Sequence, residues 1–191
     1  MSRTRGRLVV ISGPSGAGKT SVCRALKQRP EIEFSVSATT RPMRAGERDG
    51  VDYHFLDRAE FERRVAAGEF LEHALYSGNY YGTLRAPMDQ AFAAGHVFVL
   101  EIEVEGTRQL RAQRLPGLYV FIAPPSLQAL RERLQKRGTN APPEIETRMR
   151  IAEQELRAAR ELVDGAPLYD HHIVNEVLDV TVRRVEELIG L

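Results

Sequence analysis

The sequence predicts an α/β fold with a parallel sheet covered by helices on both faces, and three observations carry that prediction. Leu8 to Ile11 is a short apolar, β-branched run that stops at Ser12-Gly13 and feeds a Gly-rich loop and a helix. VFVLEIEV (97 to 104) and YVFIA (119 to 123) are further strand-like runs, apolar at consecutive positions rather than at alternate ones. Strands apolar throughout are buried on both faces, as parallel strands between helical layers are.

The elements follow in order. Thr20 to Gln28 carries apolar residues at 22, 25 and 26, and Pro30 lies beyond its end, so it reads as a helix. FSVSATT (34 to 40) alternates apolar and small polar residues, the pattern of one half-buried strand. RAGERDG (44 to 50) is a loop, and Asp57 with Glu60 forms a capping-box pair before a helix that ends near Gly68. FLEHALY and YYGT flank Ser77-Gly78-Asn79 as a hairpin, and Pro87 opens a helix closed by Gly95. Beyond the third apolar strand Pro124-Pro125 breaks the chain, Ser126 caps a helix and Gly138 ends it. After a turn at 139–143, a long Arg/Glu-rich helix runs to about Asp164. HIVN (172 to 175) is the last strand and 179–189 the last helix.

A chain of 191 residues has room for one domain. The expected division is a core of 1–33, 96–125 and 165–191, an inserted subdomain over 34–95, and a helical lid over 126–164. The net charge of +1 gives no global field toward nucleic acid or a membrane surface. Of 27 basic residues only Lys19, Lys27 and Lys136 are lysine, leaving 24 arginines, the residue that grips phosphate in a bidentate fork. Cys23 is the sole cysteine, so no intrachain disulfide forms. The apolar stretch near the start is too short for a signal peptide, and no run approaches the ~18 residues of a membrane span, so a cytoplasmic protein is expected. His171-His172 face opposite sides of their strand, which favours structural roles over a shared metal.

Gly13-Pro14-Ser15-Gly16-Ala17-Gly18-Lys19-Thr20 fits G-x-x-x-x-G-K-[ST] and sits between a predicted strand and a predicted helix. The glycines let backbone N–H groups close around phosphate oxygens, and the helix adds the positive end of its dipole. Lys19 is expected at the β/γ oxygens, and the Thr20 hydroxyl at Mg²⁺ accompanying ATP. Glu101, Glu103 and Glu105 alternate at the end of the second apolar run, and a period of two places Glu101 and Glu103 on one face, at the sheet edge where ligands bind. One of these acids is expected to hold Mg²⁺ or its waters, with Glu101 the first candidate, and another to touch the acceptor.

The acceptor is named by resemblance. The loop is followed in order by SATTRPMRAGERDGVDYHF (37 to 55), EFLEHALYSGNYYGT (69 to 83), FVLEIEVEGTRQL (98 to 110), RERLQKRGT (131 to 139), RMRIA (148 to 152) and IVNE (173 to 176). This ordered set resembles guanylate kinase along nearly the whole chain. The resemblance implies a P-loop nucleoside monophosphate kinase fold and transfer of the γ-phosphoryl group of MgATP to GMP. It implies that Ser37, Arg41, Arg44, Tyr53 and Tyr81 hold the GMP phosphate, and that Glu72 and Thr83 read guanine with Glu103 nearby. It implies that Arg133, Arg137 and Arg148 belong to a lid over ATP and that Asn175 lies near the adenine. Two arginines three apart can neutralise a dianion. A carboxylate can accept from guanine N1–H and N2–H₂ together, whereas adenine frustrates that contact. Many family members carry Asp-x-Asp where this chain has Glu101-Ile102-Glu103, and Gln where it has Glu105, which leaves open which acid serves metal and which guanine. Two rivals stand beside this reading: a monophosphate kinase with another acceptor, and a kinase-like module that binds phosphopeptides without catalysis. The retained Lys19, Thr20 and lid arginines oppose the second. ATP and GMP are the expected partners, with no nucleic acid or membrane, in a monomer or homodimer.

Overall fold

The structure is a computed structural model, described for residues 6–136 and 142–191. Five parallel strands form the central sheet: β1 (Arg7–Ser12), β2 (Ile32–Phe34), β7 (Val97–Glu101), β8 (Leu118–Ala123) and β11 (His171–Val174), in spatial order β11-β8-β1-β7-β2. The unbroken apolar runs follow from this burial. Along β1, Leu8 and Val10 enter one core cluster while Val9 and Ile11 enter another on the opposite face. Tyr119 and Phe121 divide from Val120 and Ile122 in the same way. Each such fully buried side chain contributes about 1.5–3 kcal/mol.

On one face lie α1 (Lys19–Leu26) and α7 (Leu178–Ile189), which bury Val22, Cys23, Leu26, Val185 and Ile189. On the other lie α3 (Arg85–Ala94) and α4 (Val104–Ala112), with Met88, Ala91, Val104 and Leu110. The second sheet joins β3 (Ser37–Thr39), β4 (His54–Phe55), β5 (Phe70–Tyr76) and β6 (Asn79–Leu84) in the order β4-β3-β6-β5. Helix α2 (Arg58–Ala66) covers it, with Phe61 stacked between Phe70 and Tyr80 at 4.4 and 5.1 Å. Asp57 caps α2 by accepting from Glu60 N at 2.8 Å. The Glu60 side chain turns instead to Arg63 and Arg64, so only half of the expected reciprocal box forms. The hairpin turn has positive φ at both Ser77 and Gly78, the twist that suits a two-residue connection. A helical arm, α5 (Leu127–Lys136) and α6 (Pro142–Ala158), has its own small core of Leu130, Leu134, Ile145, Met149 and Ala152. Ser126 caps α5 through Ala129 N at 3.0 Å. Gly138 lies outside the described residues.

Four expectations change. The stretch 34–40 is not one strand: Phe34 ends β2, Ser35 N still reaches Val99 O at 3.0 Å, and Ser37 begins β3 in the other sheet. Alternation reports half-burial but not which sheet is joined. The run 97–104 is not one strand either. It stops at Glu101, and Glu103 is the N-cap of α4, a helix the sequence reading left out. Ile102 and Val104 both bury into the same cluster, so the two-residue spacing persists while the backbone turns from strand to helix. Glu101 and Glu103 therefore do not share a strand face. Finally, α6 ends at Ala158, and a hairpin of β9 (Leu162–Val163) and β10 (Ala166–Pro167) follows, turning at Asp164-Gly165 with φ of 50° and 81°. That Asp-Gly pair was the available signal.

Candidate active site

The Gly-rich loop leaves β1 at the C-terminal edge of the sheet and closes onto α1. Gly13 has φ of 142°, and a Cβ there would lie 2.1 Å from the Ile122 carbonyl oxygen, so only glycine lets the loop pass β8. Gly18, at φ 99°, is the N-cap of α1 and makes no side-chain cap bond, so no side chain occupies the positive end of the helix at the loop. The Lys19 ammonium donates to the carbonyls of Gly13 and, at 3.2 Å, Pro14. Burial lowers its pKa, against the carboxylates of Glu155, Glu101 and Glu103, which raise it. Thr20 donates to Glu101 Oε1 at 2.7 Å, and Glu101 ends β7 beside Ile11. A hydroxyl and one carboxylate are a hard oxygen set. Among the described residues no cluster of three or more His, Cys, Asp or Glu exists that would hold a metal by protein alone. That sparse donor set fits Mg²⁺, which keeps waters and takes its remaining ligands from phosphates.

Around this loop lies a cleft of about 610 Å³ lined by Gly16, Lys19 and Thr20 on one side and Asp52 and Tyr53 on the other. A second compartment of about 380 Å³ adjoins it and is lined by Glu72, Tyr81 and Glu105. Ser37, Tyr53, Glu101, Ile102 and Glu103 line both. In the second compartment, adjacent strands set Glu72 opposite Thr83, and the Thr83 hydroxyl donates to Glu72 Oε1 at 2.7 Å in a buried pair. Desolvation raises the Glu72 pKa, with the Thr83 hydrogen bond opposing it. Tyr53 and Tyr81 meet edge to face at 6.1 Å.

Neither Arg41 nor Arg44 lines either compartment, although Arg41 lies against Tyr53, which lines both. Arg41 is held bidentately by Glu47, at 2.8 and 3.0 Å, and its guanidinium lies 5.4 Å from the Tyr53 ring. Glu47 also accepts from Arg44 N at 2.7 Å. The side-chain hydrogen bond to Arg41 is the leading cause of Glu47's lowered pKa. Glu47 lies within the motif 37–55, which implies no role for it. Its place three residues beyond Arg44 was the signal, since that spacing closes a turn.

Arg133 reaches from α5 to the carbonyls of Ala17 (3.4 Å) and Asn175 (2.8 Å), bringing the arm to the loop. Asn175 is buried, donates from Nδ2 to Ala17 O at 2.7 Å, and accepts at Oδ1 from Thr181 at 3.0 Å. It braces the loop from below, and Thr181 is a second residue the sequence reading missed. Arg148 is tied to Glu144 one turn back on α6, and Arg137 lies outside the described residues. A third missed residue, Glu155 on α6, faces Lys19 and Glu103; burial is the main cause that lifts its pKa to about 7.

A Gly-rich anion loop at the end of a parallel sheet, joined to a second compartment beside a buried acid–hydroxyl pair, marks the class of P-loop phosphotransferases. A family model described as guanylate kinase matches residues 5–190. Among curated proteins, the guanylate kinase of Carboxydothermus hydrogenoformans is 44% identical over 186 residues, covering 97% of this chain and 88% of that one. The guanylate kinase of Frankia casuarinae is 48% identical over 185 residues, covering 96% and 97%. A crystal structure of guanylate kinase from Anaplasma phagocytophilum superposes with a TM-score of 0.72 at 31% identity, covering 98% of this chain and 86% of that one. The chain belongs to the guanylate kinase family. No helix among the described residues is long and apolar enough to cross a membrane.

Proposed function

We propose that the loop compartment takes ATP and the second compartment takes GMP, so that the family's reaction, phosphoryl transfer from ATP to GMP giving ADP and GDP, runs across the residues the two share. The observation that carries this is the continuity of the two compartments through Ser37, Tyr53, Glu101, Ile102 and Glu103. Phosphoryl transfer needs two bound anions held in line at short range, and a shared wall supplies that.

In this reading residues 13–20 cradle the triphosphate and Lys19 swings from the loop carbonyls to the β/γ oxygens. Asn175 acts on ATP through the loop it braces. Mg²⁺, when bound with ATP, supplies charge neutralisation on the β- and γ-phosphates, and Thr20 and Glu101 are the residues that would hold it or its waters. Ser37, Tyr53, Tyr81, Arg41 and Arg44 receive the GMP phosphate. Glu72 accepts from guanine N1–H and N2–H₂, the Thr83 hydroxyl turns from Glu72 to donate to O6, and Glu103 flanks the base from the start of α4. A phosphate monoester has its second pKa near ~6, so the attacking oxygen is ionised at neutral pH and no general base is required. Arg133, Arg137 and Arg148 neutralise charge on the transferring group as a lid over 126–164 closes on a core of 1–33, 96–125 and 165–191, with 34–95 binding GMP. Water exclusion on closure favours transfer to GMP over hydrolysis.

The test is an ADP-release assay with MgATP and, in turn, GMP, AMP, CMP, UMP and dTMP. Turnover with GMP well above every other acceptor is expected. Equal or better turnover with another base would overturn the assignment of Glu72 and Thr83.

A further inference from the structure

Strand β5 lies at the edge of its sheet, so one row of its backbone groups has no strand to pair with. At residues 71–73 that row is met by side chains of α4. Gln109 Nε2 donates to His73 O at 2.9 Å, and His73 N donates to Gln109 Oε1 at 3.1 Å. One side-chain amide thus closes the two-bond ring that an antiparallel neighbour would make. One turn later Gln113 Nε2 donates to Leu71 O at 2.7 Å, and Gln113 is itself held by Arg85 at 3.3 Å. Gln109 and Gln113 are four apart, so both project from one face of the helix.

Glu72 is the residue between the two clamped positions. The register of β5 against β6 slips between Phe70 and Glu72, so Leu71 is an extra residue in a bulge. A bulge re-aims the side chain beside it and loosens pairing, and here the clamp on Leu71 and His73 restores what pairing lost. The same helix also meets the carboxylate. A Cβ built on Gly106, one turn before Gln109, would stand 2.9 Å from Glu72 Oε2 and 3.3 Å from its Cδ. The other oxygen, Oε1, takes the Thr83 hydroxyl. One rigid element therefore grips the strand on both sides of Glu72 and abuts its carboxylate. Its N-cap, Glu103, lines the same compartment.

From this juxtaposition we infer that α4 is the seat of the guanine-reading carboxylate: Gln109 and Gln113 are positioning residues for Glu72, and the missing side chain of Gly106 is the space its carboxylate occupies. The inference rests on the assignment of Glu72 to guanine. A polar reader discriminates only if it stands at hydrogen-bond distance from both purine donors, so a shift of the strand degrades selectivity before it degrades folding.

The experiment compares GMP with IMP, which keeps N1–H and lacks the 2-amino group, so their kcat/KM ratio reports where the carboxylate lies along the purine edge. Gln109→Leu removes the ring of two bonds, and Gly106→Ala pushes on Oε2 while leaving all three amide bonds in place. Glu72→Ala is the reference, and thermal unfolding and the KM for ATP are measured on each variant. The expected result is that Glu72→Ala brings the ratio near one, while Gln109→Leu and Gly106→Ala each lower it about tenfold with the KM for ATP unchanged. If both variants fold and keep the wild-type ratio while Glu72→Ala loses it, α4 is only a structural support and the inference fails. If Glu72→Ala itself keeps the ratio, the assignment of Glu72 to guanine fails first. Should Gln109→Leu not fold, Gly106→Ala decides alone.

Discussion

Replacing Thr181 by valine removes a hydroxyl and keeps the shape of the side chain. That hydroxyl, on a residue 1% exposed, shares its single hydrogen between Asn175 Oδ1 at 3.0 Å and the Val177 carbonyl at 3.2 Å. Asn175 is 5% exposed, so solvent does not replace the lost donor. Leaving a buried neutral acceptor unpaired costs about 1–3 kcal/mol. For a chain of this length a 2 kcal/mol loss lowers Tm by about 4–8 °C. The amide is also close against Gly18, where a Cβ would fall 2.2 Å from Nδ2, so a loosened Asn175 lets the loop itself shift. Thr181→Val is therefore expected to raise the KM for ATP about three- to tenfold and to leave the KM for GMP within about twofold. Thr181→Ser keeps the hydroxyl and should restore the ATP constant even though it loses a buried methyl. Urea denaturation, thermal unfolding and initial-rate kinetics on both variants test this. A valine variant with wild-type Tm and wild-type KM for ATP would refute the idea that Thr181 sets the loop through Asn175.

Two further outcomes follow from groups the sequence reading passed over. Glu47→Ala removes both carboxylate hydrogen bonds to Arg41, leaving it the Pro42 carbonyl at 2.7 Å, and removes the partner of the Arg44 amide, so the phosphate must order these arginines itself; the KM for GMP is expected to rise about three- to tenfold with ATP unaffected, measured by initial rates. A lower KM would show instead that Glu47 competes with the phosphate for Arg41. Glu155 has a pKa raised from 4.5 to about 7 by burial, offset in part by Lys19 and reinforced by Glu103. Because its folded pKa is raised, its contribution to stability is present below pH ~4.5 and lost as pH climbs through ~7, so Glu155→Gln should gain stability over wild type across that window, by about 3 kcal/mol at pH 8, and match it at pH 4. Denaturation midpoints measured from pH 4 to 8 check it, and a constant offset between the two proteins would refute the buried-carboxylate account.

The local chemistry of this protein was written in short stretches of sequence. The run Leu8–Ile11 could only be a strand buried on both faces, Gly13 to Thr20 could only be useful as an anion loop, and Asp57, Ser126 and Gly95 marked helix ends by their own hydrogen-bonding or conformational preferences. The same locality explains the missed features. Ile102 and Val104 keep a strand's spacing although the backbone between them has turned into a helix, because both enter the same apolar core while Glu101, Glu103 and Glu105 line the cleft. Ser35–Ser37 gives no sign that the chain changes sheets, since the pairing partners, Val99 for Ser35 and Thr83 for Ser37, lie 64 and 46 residues away. Glu47, Thr181, Gln109 and Glu155 are ordinary surface-type residues by composition, and each acquires its place only through partners set against it by folding. What the sequence determined by itself was the fold class, the loop and the ordered motifs, all properties of neighbours along the chain. What tertiary structure decided was which side chains are buried together and at what distance, because desolvation and hydrogen-bond geometry depend on neighbours in space.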